Sequence, residues 1–176
     1  PHLIGYMESH DEERLMYKNL EFGNGNGNYS VKELSTALQR QELGFNFFLT
    51  IPGPKMIWQF GEVGYDYSIF TCANGTVDEG NDFCKLEPKP IRWDYLQDSR
   101  RVRLYQVFSE LMRLRNTYEV FHTDDFDLLV NQSAWKRIQL NDAEMNVTVL
   151  GNFNVLPNNN IDPDFQHTGW WSEFYT

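Results

Sequence analysis

Apolar positions recur along the chain with two different periods. Residues 3–7 form a short apolar run that ends in Glu8, Ser9, His10 and Asp11, the pattern of a buried strand delivering polar side chains at its C-terminal tip. The alternation of Gly and Asn from Gly23 to Asn28 is too rich in turn formers for regular structure. A helix is predicted next. Ser30 with Glu33 reads as a capping box, Tyr29 with Leu34 as a hydrophobic staple, and Val31, Leu34, Leu38, Phe45 and Phe48 carry an apolar face to about Phe48. Pro52, Gly53 and Pro54 end that helix, and residues 55–60 read as a second buried strand ending at Gly61 and Glu62.

The stretch 63–98 is long and irregular, which in a compact domain points to a functional or covalently closed loop. Ser99 is placed to cap a helix from about Arg100 to Tyr118, with Leu104, Val107, Phe108, Leu111 and Leu114 facing a core and Arg100, Arg103, Glu110 and Arg113 facing water. After His122 the period changes to two. Residues 134–140 and 145–150 read as antiparallel strands joined through Asn141 and Asp142, and residues 169–175 as the start of another. The result is a strand, helix, strand, helix half followed by an all-β half, with a boundary near 120–125.

Lys and Arg total 15 against 25 Asp and Glu, giving a net charge of −10. A surface that negative repels phosphate backbones, so nucleic acid is not an expected partner. Aromatic residues are 15% of the chain, which serves either stacking on sugar rings or an aromatic-rich core. No apolar run approaches the roughly 18 residues of a membrane span. The chain opens at Pro1 directly in an apolar segment, without the blocks of a leader peptide, which reads as a piece of a longer protein.

Parallel strand and helix units close into barrels whose catalytic residues lie at the C-terminal strand ends. Two such ends are visible, Ser9-His10-Asp11 and Phe60-Gly61-Glu62. A lone His-Asp pair also serves to cap a turn, here into Glu12, Glu13 and Arg14. Taken together the two segments say more. Tyr6-Met7-Glu8-Ser9-His10-Asp11 resembles the seventh-strand motif of glycoside hydrolase family 13, the α-amylase family, which ends in His-Asp, usually after Asn. The segment from Gly53 to Glu62 resembles the eighth-strand motif, with a Gly-x-Pro start and a Gly-x-Glu end, and Arg101 to Arg115 resembles the eighth helix.

The resemblance implies an α/β plus all-β fold. Residues 1–122 would be the last two strand/helix units of a (β/α)8 TIM barrel, and residues 123–176 the start of an antiparallel β-sandwich. It implies Asp11 as the third active-site carboxylate of a retaining enzyme acting on α-1,4-glucosidic bonds of starch-like glucans, and His10 as a ligand of the same sugar. An oxocarbenium-like transition state gains from nearby negative charge and from hydroxyl contacts that strengthen there. Ser9 stands where the family commonly has Asn. The nucleophile and general acid belong to the fourth and fifth strands, which this sequence lacks, so the segment by itself is expected to be inactive. Glu62 lies one strand too late to replace them and is read as a structural group at the barrel end.

Other segments carry two readings each. Arg92-Trp93-Asp94-Tyr95 either rims a sugar cleft or packs over the last helix. Trp170 and Trp171, adjacent in an expected strand, would face opposite ways, so at most one packs inward. Asp78-Glu79-Gly80-Asn81-Asp82 has calcium-type oxygens without an EF-hand spacing and reads as a solvated loop; no metal or cofactor is expected in this segment, with calcium left open for the longer protein. The Asn-x-Ser/Thr triplets at Asn28, Asn74, Asn131 and Asn146 are frequent by chance. Cys72 and Cys84, the only two cysteines, bracket a polar loop and are expected to form a disulfide in an exported, periplasmic or extracellular, protein.

Two further classes compete. A non-catalytic starch-binding module would use the aromatics but gives no reason for barrel motifs. A metal site built on His10 and Asp11 would need more ligands than the scattered His2, His122 and His167 supply. Unpartnered barrel edges predict self-association of the isolated segment.

Overall fold

The computed structural model describes residues 3–80, 82–131 and 134–175. Strand β1 (Gly5–Tyr6) pairs in parallel with β4 (Lys55–Met56), with Gly5 opposite Lys55 and Tyr6 opposite Met56. The two segments expected as strands are therefore adjacent and point the same way, but each is only two residues long. Neither is buried as expected: Leu3, at 84% exposure, and Ile4 and Tyr6 face solvent. A parallel pair becomes a buried ladder only when further strands and helices cover it, and among the described residues no third strand joins this one.

Helix α1 (Leu15–Phe22), which no periodicity announced, follows β1 and buries Met16. The Gly/Asn segment, expected to be irregular, forms a hairpin of β2 (Gly25–Asn26) and β3 (Tyr29–Ser30), and Gly27 at its turn takes φ 57°. That pairing removes the expected capping box. Ser30 lies in β3 with its hydroxyl accepting the Lys32 N–H at 3.3 Å, and Glu33 stands before the helix without a side-chain cap bond. Tyr29 packs with Arg40, whose Nε donates to its hydroxyl at 2.7 Å and whose guanidinium lies over its ring at 5.3 Å.

Helix α2 (Leu34–Thr50) thus begins later and ends later than its apolar stripe suggests. Its end is held by buried Arg115, which donates to the carbonyls of Leu49 at 2.9 Å, Ile51 at 3.0 Å and Gly53 at 2.6 Å. Between β4 and the last helix lie a 3₁₀ turn (Gly61–Val63), the short helix α3 (Asp82–Leu86), a second 3₁₀ turn (Trp93–Gln97) and a disulfide between Cys72 and Cys84. Helix α4 (Ser99–Thr117) is capped by Asp98 rather than Ser99: the Asp98 carboxylate accepts the Arg100 N–H at 2.9 Å.

Helices α1, α2 and α4 share one core of Met16, Ala37, Leu38, Phe45, Leu49, Leu104, Val107 and Leu111, each large member worth about 1.5–3 kcal/mol of burial. After a third 3₁₀ turn (Glu119–His122) comes an antiparallel sheet of β5 (Phe126–Leu129), β6 (Trp135–Leu140) and β7 (Val147–Asn152), in the order β5-β6-β7. Its fully buried Ile138 and Leu140 pack with Val120, Phe121 and Phe47 of α2. The sheet therefore lies directly on the helical half. The strand expected at residues 169–175 is not formed. Trp170 is fully exposed, while Trp171 stacks between Phe165 at 4.5 Å and His167 at 4.7 Å. Among the described residues the sheet is a single layer. No described helix is long and apolar enough to cross a membrane.

Candidate functional site

The parallel register of β1 and β4 fixes where both chemical segments go. Leaving β1, the chain buries Glu8 and Ser9, turns through His10 and Asp11, and returns inward at Arg14 to start α1. The turn is closed at its base by a buried ion pair, Arg14 Nη1 to Glu8 Oε1 at 3.0 Å, with both side chains at most 6% exposed. Glu8 Oε2 also accepts the Leu15 N–H at 2.8 Å and so ties the first turn of α1 to the end of β1. Burial pushes the Glu8 carboxyl up and the Arg14 guanidinium down; the Leu15 N–H and the pair's mutual attraction oppose those shifts.

His10 and Asp11 stand on the solvent side of this base. Their side chains are about two-thirds exposed, with His10 Nε2 3.2 Å from Asp11 Oδ2. The Asp11 N–H donates to Ser9 Oγ at 3.3 Å, so the serine hydrogen-bonds the backbone of the candidate carboxylate. The His10 ring is 5.8 Å from that of Trp58, which follows β4. Polar groups of this kind are free to meet a ligand from solvent.

The β4 end arrives against the same base. Gly61 comes so close that a Cβ there would lie 3.0 Å from Glu8 Oε1, and Glu62, half-buried in the 3₁₀ turn, adds its charge to the field on Arg14. Phe60 enters that turn with φ 57°, a left-handed conformation that costs a residue with a side chain about 1–2 kcal/mol. It is held there by stacking on Tyr65 at 5.9 Å and by the edge of Trp93 at 4.9 Å. The Arg14 guanidinium lies over the Tyr65 ring at 4.9 Å, and its buried Nη2 has no hydrogen-bond partner among the described residues. Glu8, Arg14 and Trp58 received no role from sequence patterning. The available signal was the opposite charge of Glu8 and Arg14 on either side of a polar turn.

The 92–95 segment divides between its two readings. Arg92 pairs with Asp94 at 2.7 Å and stands over Tyr95 at 4.1 Å, and buried Tyr95 meets Arg101 of α4 at 3.7 Å, all packing contacts. Trp93 is 68% exposed and borders Phe60. Within the 78–82 loop, Asp78 accepts the Gly80 N–H at 3.2 Å, while Asn81 lies outside the described residues, as do Gln132 and Ser133 of the Asn131 triplet. Cys72, Cys84 and Glu87 bring sulfur and carboxylate atoms together, but the sulfurs are bonded to each other and Glu87 accepts the Ala73 N–H at 2.7 Å, so the group offers no thiolate to a metal.

No protein-family model matches the chain, and no curated protein matches it. Among solved structures it is similar to trehalose-6-phosphate hydrolase of Bacillus licheniformis, with a TM-score of 0.58 and 14% sequence identity. The match covers 89% of this chain and 36% of that protein, so the chain spans little more than a third of the hydrolase's length. The likeness is one of fold: most of this chain is built like a part of that hydrolase.

Proposed function

We propose that this chain is the C-terminal part of a retaining α-amylase-family glycosidase that cleaves α-1,4-glucosidic bonds of starch-like glucans. The observation that carries the reading is the parallel pairing of β1 with β4, which sets the His10-Asp11 turn and the Gly61-Glu62 turn at the same strand ends. In this reading residues 1–122 belong to the catalytic barrel and residues 123–176 to the following β-sandwich. Asp11 stabilises positive charge developing on the sugar ring and orients its hydroxyls, and His10 binds the same ring. Glu62 supports the barrel end beside Arg14. The nucleophile and general acid are supplied from earlier strands of the longer protein.

A neutral glucan suits this segment better than a phosphorylated sugar of the kind named for the structural neighbour. Asp11 and Glu12 are exposed on the turn, Glu62 lies nearby, and the chain carries a net charge of −10, a field that disfavours a phosphate. The Cys72–Cys84 disulfide supports an exported protein.

The test is to express the gene product with the sequence upstream of Pro1 and to follow reducing ends released from soluble starch, in parallel with trehalose 6-phosphate. Starch hydrolysis with retention of the α-anomer is the expected result. Starch binding without hydrolysis of either substrate would replace this reading with that of a carbohydrate-binding module.

A further inference from the structure

We propose that Glu13 is a positioning residue that ties the His10-Asp11 turn to the disulfide-closed loop and thereby fixes where the Asp11 carboxylate stands. The functional part of this proposal rests on the reading of Asp11 given above; the tether itself does not. Glu13 lies two residues beyond Asp11, on the outgoing leg of the turn. Both of its carboxylate oxygens are occupied: the Ser68 hydroxyl donates to Oε1 at 2.7 Å and the Ile69 N–H donates to Oε2 at 2.9 Å. Both partners are buried, Ser68 at 2% and Ile69 at 7% exposure, and Ser68 Oγ also accepts the Phe70 N–H at 3.1 Å.

Those partners are themselves fixed from behind. Lys89 Nζ donates to the carbonyl of Ile69, to that of Thr71 at 2.9 Å and to that of Cys84 at 2.7 Å, and the Cys72–Cys84 bond closes the same loop. One ammonium thus gathers the backbone on both sides of the disulfide and stiffens the segment that Glu13 grips. The base of the turn is held separately by the Glu8–Arg14 pair. Among the described residues, the contacts of the His10 and Asp11 side chains and of the Asp11 N–H are, by contrast, with each other, Ser9 and the tilted ring of Trp58. The position of Asp11 is therefore inherited from its neighbours in sequence, with Glu13 as the anchor on the loop side.

In the full-length enzyme, assayed well below its unfolding transition, Glu13→Ala is expected to lower kcat by roughly 10-fold or more, since small misplacements of a catalytic group are costly. Glu13→Gln is expected to retain most of kcat, because its amide accepts from Ile69 and donates to Ser68 Oγ. Replacing both cysteines by serine should lower kcat in the parent background and add little in the Glu13→Ala background, since both changes loosen one tether. A Glu13→Ala enzyme with unchanged kcat and KM and only a lower Tm, or effects of the two changes that multiply, overturns the proposal. Should the wild type hydrolyse no starch, the glycosidase reading fails and the tether is still read by hydrogen exchange. Faster exchange at the amides of residues 10–12 in Glu13→Ala supports it, and unchanged exchange overturns it.

Discussion

Replacing Glu8 by Ala removes one member of the buried ion pair on which the site is built. Arg14, 2% exposed in the native chain, would lose the 3.0 Å partner of Nη1, and its Nη2 already has none among the described residues. The Leu15 N–H at the start of α1 would lose its 2.8 Å acceptor in the same step. Breaking a buried pair by removing one partner costs about 3–5 kcal/mol, because the uncompensated charge stays behind. For a chain of this size that is a fall in Tm of roughly 6–20 °C. Glu8→Gln keeps an acceptor of the same shape for Arg14 and should cost distinctly less, whereas Glu8→Ala together with Arg14→Met should recover part of the loss by removing the stranded cation. Thermal and urea unfolding followed by circular dichroism read all three. A Glu8→Ala chain within about 1 kcal/mol of the parent would show that the pair is solvated or dispensable and would refute the account of how the turn is held.

Two further outcomes are expected. Asp98→Ala should cost about 1 kcal/mol through loss of the α4 cap. The Arg100 guanidinium holds the Asp98 carboxyl down at about 2, so its contribution is complete above the ordinary carboxylate value of 3.8 and fades as pH falls toward 2; acid titrations of parent and variant should converge in that window. The isolated 176-residue chain should release no reducing ends from starch above background, and light scattering should show oligomers, because among the described residues the outer edge of β1 meets no further strand and Leu3, Ile4 and Tyr6 are exposed there.

The elements legible in the sequence were those whose apolar pattern follows a single period. The α4 stripe of Leu104, Val107 and Leu111 faces the core as its spacing implies, and β6 and β7 form within a residue or two of their expected bounds, although Arg137 and Gln139 are buried along with Ile138 and Leu140. The elements that escaped depend on partners far along the chain. Ser30 is a good helix cap in isolation, but its backbone pairs with Gly25, and α2 starts four residues later. Residues 3–7 have strand composition, yet with β4 as the one neighbour among the described residues only Gly5 and Tyr6 pair. At the candidate site, the segments bearing His10, Asp11 and Glu62 stood out because their motifs are local in sequence, and the structure brings the two segments to the same strand ends. The Glu8–Arg14 base and the grip of Glu13 on Ser68 and Ile69 did not, since the latter contact spans more than fifty residues and leaves no periodic trace.

The most direct measurement is the turnover of starch by the full-length protein carrying Asp11→Asn, a change that removes the charge and keeps the shape. Asp11 is exposed and, among the described residues, bonded to the fold only through its own N–H and the neighbouring His10, so the variant should unfold at the parent's Tm. If this carboxylate stabilises the transition state, kcat should fall by about 100-fold or more, corresponding to roughly 2.7 kcal/mol of lost electrostatic stabilisation. His10→Ala should cost less in kcat and show more of its effect in KM. Near-normal turnover by Asp11→Asn would contradict the assignment of this turn to the catalytic centre.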